Sequence, residues 1–303
     1  MTVGGRELSF RVPTDVGRLL WNAVKMATLL DYSKLMLERA MSVTRRALIG
    51  RHVEAVLVRG DNGIFLLDVE DMSVGRRLAR DGEYGAAELE RLLSVVTEQT
   101  SVLVVGTHVG TLAVPASKHC RSLIAIEANP RTFQLLRENL LLNECNNVRA
   151  LNIAASDKNE EIQFVLNRTN SGASKRMPMV PNYAYFYDSP KVVLIEAHPL
   201  DEVLGDSQID IILMDIEGSE YFALGGMQQI LSRASALFME FVPHHLRNVS
   251  GVSVDQLVGL IRPHFSTLFV PSREITVSKD RFVEVLQSMF DREQSDEGVI
   301  FKK

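Results

Sequence analysis

Cysteine is scarce in this 303-residue chain, with only Cys120 and Cys145, so a secreted disulfide scaffold is excluded and a reducing compartment is expected. A chain of this length buries about three-quarters of its unfolded surface, so it needs no such staples. Basic excess is absent as well: 33 Lys and Arg stand against 38 Asp and Glu, a net charge of −5. A dedicated nucleic-acid binder, which relies on a positive surface, is therefore not expected. Nor is there any run of about 18 apolar residues, so no integral membrane segment is expected. Met1–Phe10 has neither the basic nor the apolar region of a signal peptide, and a cytoplasmic location is the expectation.

What is present divides the chain in two. Val16, Leu19, Leu20, Ala23, Val24, Ala27 and Leu30 recur at helical spacing, with Thr14 and Asp15 as candidate caps, which predicts one or two amphipathic helices. Val56–Val58 and Ile64–Leu67 flank Asp61-Asn62-Gly63, a hairpin pattern. Residues 1–80 are thus expected to form a helical and hairpin cap or a dimerisation segment. Residues 81–303 are expected to form a second, larger unit.

After Thr100, short β-rich runs alternate with helical stretches, which marks βαβ units around a mostly parallel sheet. Seven strands are expected: Ser101–Val105, Ser122–Glu127, Val148–Asn152, Ile209–Asp215, Ala236–Phe241, Ser266–Val270 and Gly298–Phe301. An extra hairpin is expected from Glu161–Leu166 and Lys191–Glu196, with Arg168–Pro190 between them as a candidate lid carrying Tyr183, Tyr185, Phe186 and Tyr187. Those aromatics would stack on an acceptor, form core for the N-terminal helices, or make a dimer contact.

The first strand runs into Gly106-Thr107-His108-Val109-Gly110, where Gly106 permits a tight turn and close backbone approach to a ligand. The second strand ends in Glu127, placed to accept hydrogen bonds from the ribose hydroxyls of an adenosine cofactor. Asn129-Pro130 then opens a helix.

Together, the glycine turn, Ile126-Glu127-Ala128-Asn129-Pro130, Ala154-Ala155-Ser156-Asp157, Ser171-Gly172-Ala173-Ser174, Pro199-Leu200-Asp201 and above all Asp215-Ile216-Glu217-Gly218-Ser219-Glu220 resemble the FkbM family of S-adenosylmethionine-dependent methyltransferases. The resemblance implies an α/β, Rossmann-like class I methyltransferase fold, with a seven-stranded sheet whose last strand is antiparallel. It also implies O-methylation of a hydroxyl on a sugar, glycolipid or natural product. It carries cofactor-binding roles onto Gly106, Thr107, His108, Gly110, Glu127, Ala128, Asn129, Ala155 and Asp215. Two positions depart from the family pattern: Val104 stands where an aspartate is common, and Leu213 where a lysine is common.

An alcohol acceptor must lose its proton as oxygen attacks, so a base is needed beside the methyl donor. Asp215 and Glu217, following the fourth strand, are the first candidates to orient the acceptor or take its proton, and His244 in Pro243-His244-His245 is a further candidate base. Asp215, Glu217, Glu240 and His244 follow no standard metal spacing, and no metal is assigned. The expected partner is a small-molecule or glycan acceptor, and the apolar N-terminal helices would suit a homodimer contact. Against this stands a catalytically silent binding or scaffold protein on the same fold, since fold alone does not establish activity.

Overall fold

The computed structural model describes residues 16–303, and side chains from residue 32 onward. The candidate caps Thr14 and Asp15, and the segment Met1–Phe10, lie outside the described residues. Val16–Ile49 is one continuous helix. No helix among the described residues is long and apolar enough to cross a membrane.

The expected hairpin is formed by β1 (Ala55–Gly60) and β2 (Gly63–Asp68), with Gly60 opposite Gly63 across the turn. There follow β3 (Ser101–Val105), β4 (Ser122–Ile126), β5 (Val148–Leu151), β6 (Ala154–Ala155), β7 (Glu160–Leu166), β8 (Lys175–Arg176) and β9 (Lys191–His198). The chain continues through β10 (Ile211–Met214), β11 (Ala236–Phe241), β12 (Thr267–Val270), β13 (Ile275–Ser278) and β14 (Asp296–Lys302). The main sheet has the order β13-β12-β14-β11-β10-β3-β4-β5. Its strands from β5 to β11 are parallel, and β14 runs antiparallel to both β11 and β12.

All seven expected strands are in this sheet, and an eighth, β13, extends its edge beyond β12. The count of seven is therefore corrected to eight. The extra hairpin is present too: β7 and β9 pair antiparallel from Glu160 opposite Ala197 to Leu166 opposite Lys191, within a four-stranded second sheet that includes β6 and β8.

A parallel sheet covered on both faces needs apolar residues at both parities of each strand. β3 meets this requirement. Leu103 and Val105 join Ile126, Ile212, Met214, Leu224 and Phe282 in one core cluster. Val102 and Val104 join Leu123, Leu213, Leu136 and the hairpin residues Phe65 and Leu67 in the other. The N-terminal hairpin thus shares a core with the sheet. Chain order reverses between β3 and β10, so the crevice beyond their carboxyl ends is where a ligand site belongs.

Candidate active site

A cleft opens at that switch point, enclosing about 1150 Å³ including its solvent-open mouth, a size suited to a cofactor together with part of a substrate. Gly106, Thr107, His108, Glu127, Ala128, Ala155, Asp215 and Glu217 all line it, so eight of the residues picked from the sequence come together. Gly110, Asn129 and His244 do not line it.

Each of those three has another place. Gly110 adopts a φ of 95° and its N–H donates to Thr107 O, closing the glycine turn. Asn129 caps the helix Pro130–Leu142, its side chain accepting from the N–H groups of Arg131 and Thr132. His244 points outward at the surface, its ring beside those of Tyr185 and His245.

The turn after β3 is held by paired backbone contacts. The N–H groups of Gly106 and Thr107 both donate to Ile126 O, at 2.9 and 3.0 Å. Gly106 has a φ of 89°, and any Cβ there would overlap the carbonyl oxygen of Asp215, so only glycine lets the ends of β3 and β10 approach this closely. His108 follows with a φ of 53°, a conformation uncommon for a residue with a side chain.

Glu127 is buried, and its two oxygens accept from His108 N–H and Asn129 N–H, each at 2.8 Å. Burial nonetheless pushes its carboxyl up to about 7. Two of a carboxylate's roughly four lone-pair positions are thereby filled, and the rest are free for ligand hydroxyls. His108 Nε2 lies 2.7 Å from Ser171 Oγ, whose own proton is directed to Asp71. The serine therefore accepts from Nε2–H, which leaves Nδ1 as an acceptor, and burial holds the imidazole neutral.

Asp215 is open to the cleft but enclosed by protein on its other sides. Burial first, then the Glu217, Glu88 and Glu220 carboxylates, push its carboxyl well above the usual range. Glu220 is taken up locally, its Oε1 accepting from Ile216 and Gly218 N–H. Glu217, with a φ of 56°, lies 2.7 Å from Lys175 Nζ.

Sequence reasoning missed Lys175. It is 2% exposed and donates to both Glu217 and His245 Nε2, the latter at 3.2 Å. A lysine has only donors, so Nε2 accepts and the imidazole proton sits on Nδ1, facing Glu240 Oε2 at 3.7 Å. Desolvation, then Lys175 and His244, depress the His245 pKa to about 2, which keeps the ring neutral. Of the two adjacent histidines, His245 is thus the buried one, packed against Lys175 and Glu217 behind the cleft wall. The only signal for Lys175 was its place directly after Ser171-Gly172-Ala173-Ser174.

The lid aromatics do not line the cleft. Tyr183 stacks on Tyr32 of the N-terminal helix at 4.7 Å, Tyr187 O accepts from Arg39, and Tyr185 lies under Lys175 Nζ. The same loop reaches the cleft instead through Asn170, Ser171, Gly172 and Ser174.

A parallel sheet with a glycine turn after its first strand, an acid after its second and a reversed last strand defines a class I methyltransferase. Residues 105–266, just over half of the chain, match the methyltransferase FkbM domain, and the chain belongs to that family. No curated protein matches it. Among solved structures it is similar to a methyltransferase FkbM from Methylobacillus flagellatus KT, with 18% identity over 68% of this chain and 44% of that one, and a TM-score of 0.39. It is also similar to M. jannaschii TYW2 in complex with AdoMet, with 14% identity, 71% and 75% coverage and a TM-score of 0.39. An rRNA methylase from Streptococcus thermophilus shows 12% identity, 72% and 94% coverage and a TM-score of 0.41. The chain spans less than half the length of the first of these.

Proposed function

We propose that the protein is an S-adenosylmethionine-dependent O-methyltransferase acting on a hydroxyl of a sugar, glycolipid or natural product. The observation that carries this reading is the cleft itself, where a buried Glu127 with free lone pairs and the acids Asp215 and Glu217 line one cavity at the switch point.

The residues present fit the cofactor. Glu127 would accept from both ribose hydroxyls, since its backbone donors already fix its orientation. Ala128, Ile153 and Ala155 give an apolar wall for the adenine, and His108 Nδ1 offers an acceptor for an amino group. Bound S-adenosylmethionine would supply an electrophilic methyl group on a positively charged sulfur.

The remaining chemistry falls to the chain's own side chains. Lys175, held by its ion pair and by His245, fixes the Glu217 carboxylate at the cleft face, where it can orient the acceptor hydroxyl. Asp215, with its raised carboxyl, is suited to hold the proton that the hydroxyl releases. His245, and not His244, belongs to this machinery. The segment around Asp71 and Val74 acts as a cap on the cleft, since Asp71 anchors Ser171 and Val74 lines the cleft.

The test is transfer of an isotope-labelled methyl group from S-adenosylmethionine to a panel of sugars, glycolipids and phenolic or polyketide alcohols. Labelled ether products are expected from the wild type and none from Asp215→Ala. Failure of the protein to bind S-adenosylmethionine would refute the reading.

A further inference from the structure

With Glu127, Ala128, Ile153 and Ala155 given to the cofactor, a recess of the cleft remains beyond Asp215, lined by Val74, Tyr84, Glu88, Val104, Leu112 and Leu213. These residues share one neighbourhood. Tyr84 and Leu112 pack on the core cluster that holds Val104 and Leu213, and both Tyr84 and Glu88 lie within electrostatic reach of Asp215. The recess is mostly apolar. Its polar groups are the Tyr84 hydroxyl, which burial pushes up to about 12, and the Glu88 carboxyl, which burial pushes up to about 7. Among the described residues lining the whole cleft there is no lysine or arginine. Three cations stand close by without lining it. Lys175 is committed to Glu217 and His245, and Arg77 lies over the Tyr84 ring with its own side chain exposed. Arg91 stands one turn beyond Glu88 on the helix Ala86–Leu93.

We infer that this recess receives the acceptor as an uncharged, apolar-faced ring bearing the hydroxyl to be methylated, and that a phosphate, sulfate or carboxylate on that ring excludes it. The inference rests on the methyltransferase reading above and narrows its acceptor class. An anion taken out of water needs a paired cation or several donors around it, and without them its burial costs far more than that of a hydroxyl. The resident acids already meet that cost. Burial, together with neighbouring carboxylates, holds Asp215 and Glu88 towards their neutral, protonated forms. A bound carboxylate would have to take up a proton in the same way, and a phosphate monoester would still keep negative charge at neutral pH. Glu217 has its charge matched by Lys175, which leaves that cation nothing to offer a second anion. An uncharged ring makes no such demand. The apolar side chains cover its face, while Tyr84 and Glu88 can exchange hydrogen bonds with its hydroxyls. The amino-acid end of S-adenosylmethionine carries one ammonium and one carboxylate, and so brings no net charge of its own.

The experiment is transfer of a labelled methyl group by the full chain to matched acceptors that differ in one charged group: an alkyl glucoside with its phosphate monoester and with the alkyl glucuronide, and p-hydroxybenzyl alcohol with p-hydroxybenzoate. Products are scored as ethers, so that methyl esters of the carboxylates do not count. The wild type is expected to favour the uncharged member of each set by about a hundredfold or more in kcat/KM. Leu112→Lys, which sets a cation in the recess, should narrow that ratio by about tenfold or more, whereas Leu112→Met should leave it unchanged. The wild-type comparison stands alone even where the lysine variant does not fold. Equal turnover of both members, or preference for the charged one, overturns the inference. So does ether formation from neither when S-adenosylmethionine binds in a parallel calorimetric titration. If S-adenosylmethionine does not bind, it is the methyltransferase reading itself that fails.

Discussion

Val104 and Leu213 stand directly opposite each other in the register of β3 and β10, at 2% and 3% exposure, and both reach the wall of the cleft. These are the two positions at which the chain departs from the pattern of its family, where an aspartate and a lysine are common. The departures therefore form one pair. Either charge alone would be buried here without its partner, whereas two apolar side chains leave nothing unpaired. Val104→Asp is expected to destabilise the protein by about 3–5 kcal/mol, and Val104→Asp with Leu213→Lys by clearly less than the sum of the single changes. Urea denaturation of the four proteins in the cycle measures this, and strictly additive costs would show that the two positions are not coupled.

Glu127→Ala removes the acceptors assigned to the ribose. Affinity for S-adenosylmethionine should fall by about 1.5–3 kcal/mol in a calorimetric titration, the usual worth of hydrogen bonds to a charged group. Unchanged affinity would move the ribose site elsewhere.

The same residue makes stability depend on pH. Its folded carboxyl titrates near 7, above its unfolded value of 4.5. Its contribution is thus complete below about 4.5 and is lost as pH rises through about 7. Thermal melts of the ligand-free protein across this window should show a steeper loss of stability for wild type than for Glu127→Gln. Equal slopes would mean that the buried carboxyl does not carry the shift.

The two adjacent histidines should behave differently. His245→Ala leaves a donor of the buried Lys175 unmet and should cost about 1–3 kcal/mol of stability. His244→Ala, at the surface, should fall within about 0.5 kcal/mol of wild type. Equal effects in denaturation curves would contradict the inward placement of His245.

Legibility followed physical signal. The seven strands could be read because continuous Val, Ile and Leu runs are what a sheet buried on both faces demands, and Glu127 and Asp215 because ligands gather beyond the ends of such strands. β13 could not, since Ile275–Ser278 is four residues long and half of it faces solvent at the sheet edge. Nothing local chooses between His244 and His245, because the direction of each is set by how the short helix Pro243–His245 docks on the sheet. Lys175 was invisible for a similar reason. An isolated lysine in a polar loop reads as solvated until tertiary structure places Glu217 and Tyr185 around it. The tyrosines of the candidate lid were legible as aromatics but not as neighbours of a helix more than a hundred residues earlier.

The helix Pro130–Leu142 and its C-terminal neighbour Asn143 bear on a different property of the molecule. Asn143 accepts from Ile64 N–H and donates to Ile64 O, and Asn139 does the same for Leu66. These four bonds occupy the side of β2 that β1 leaves open, much as another strand would. A two-stranded ribbon with a bare edge is a template for pairing with a foreign chain. Here two amides close that edge, so the ribbon is guarded against self-association, and an apolar residue at either position would reopen a path to aggregation while leaving the cleft chemistry untouched.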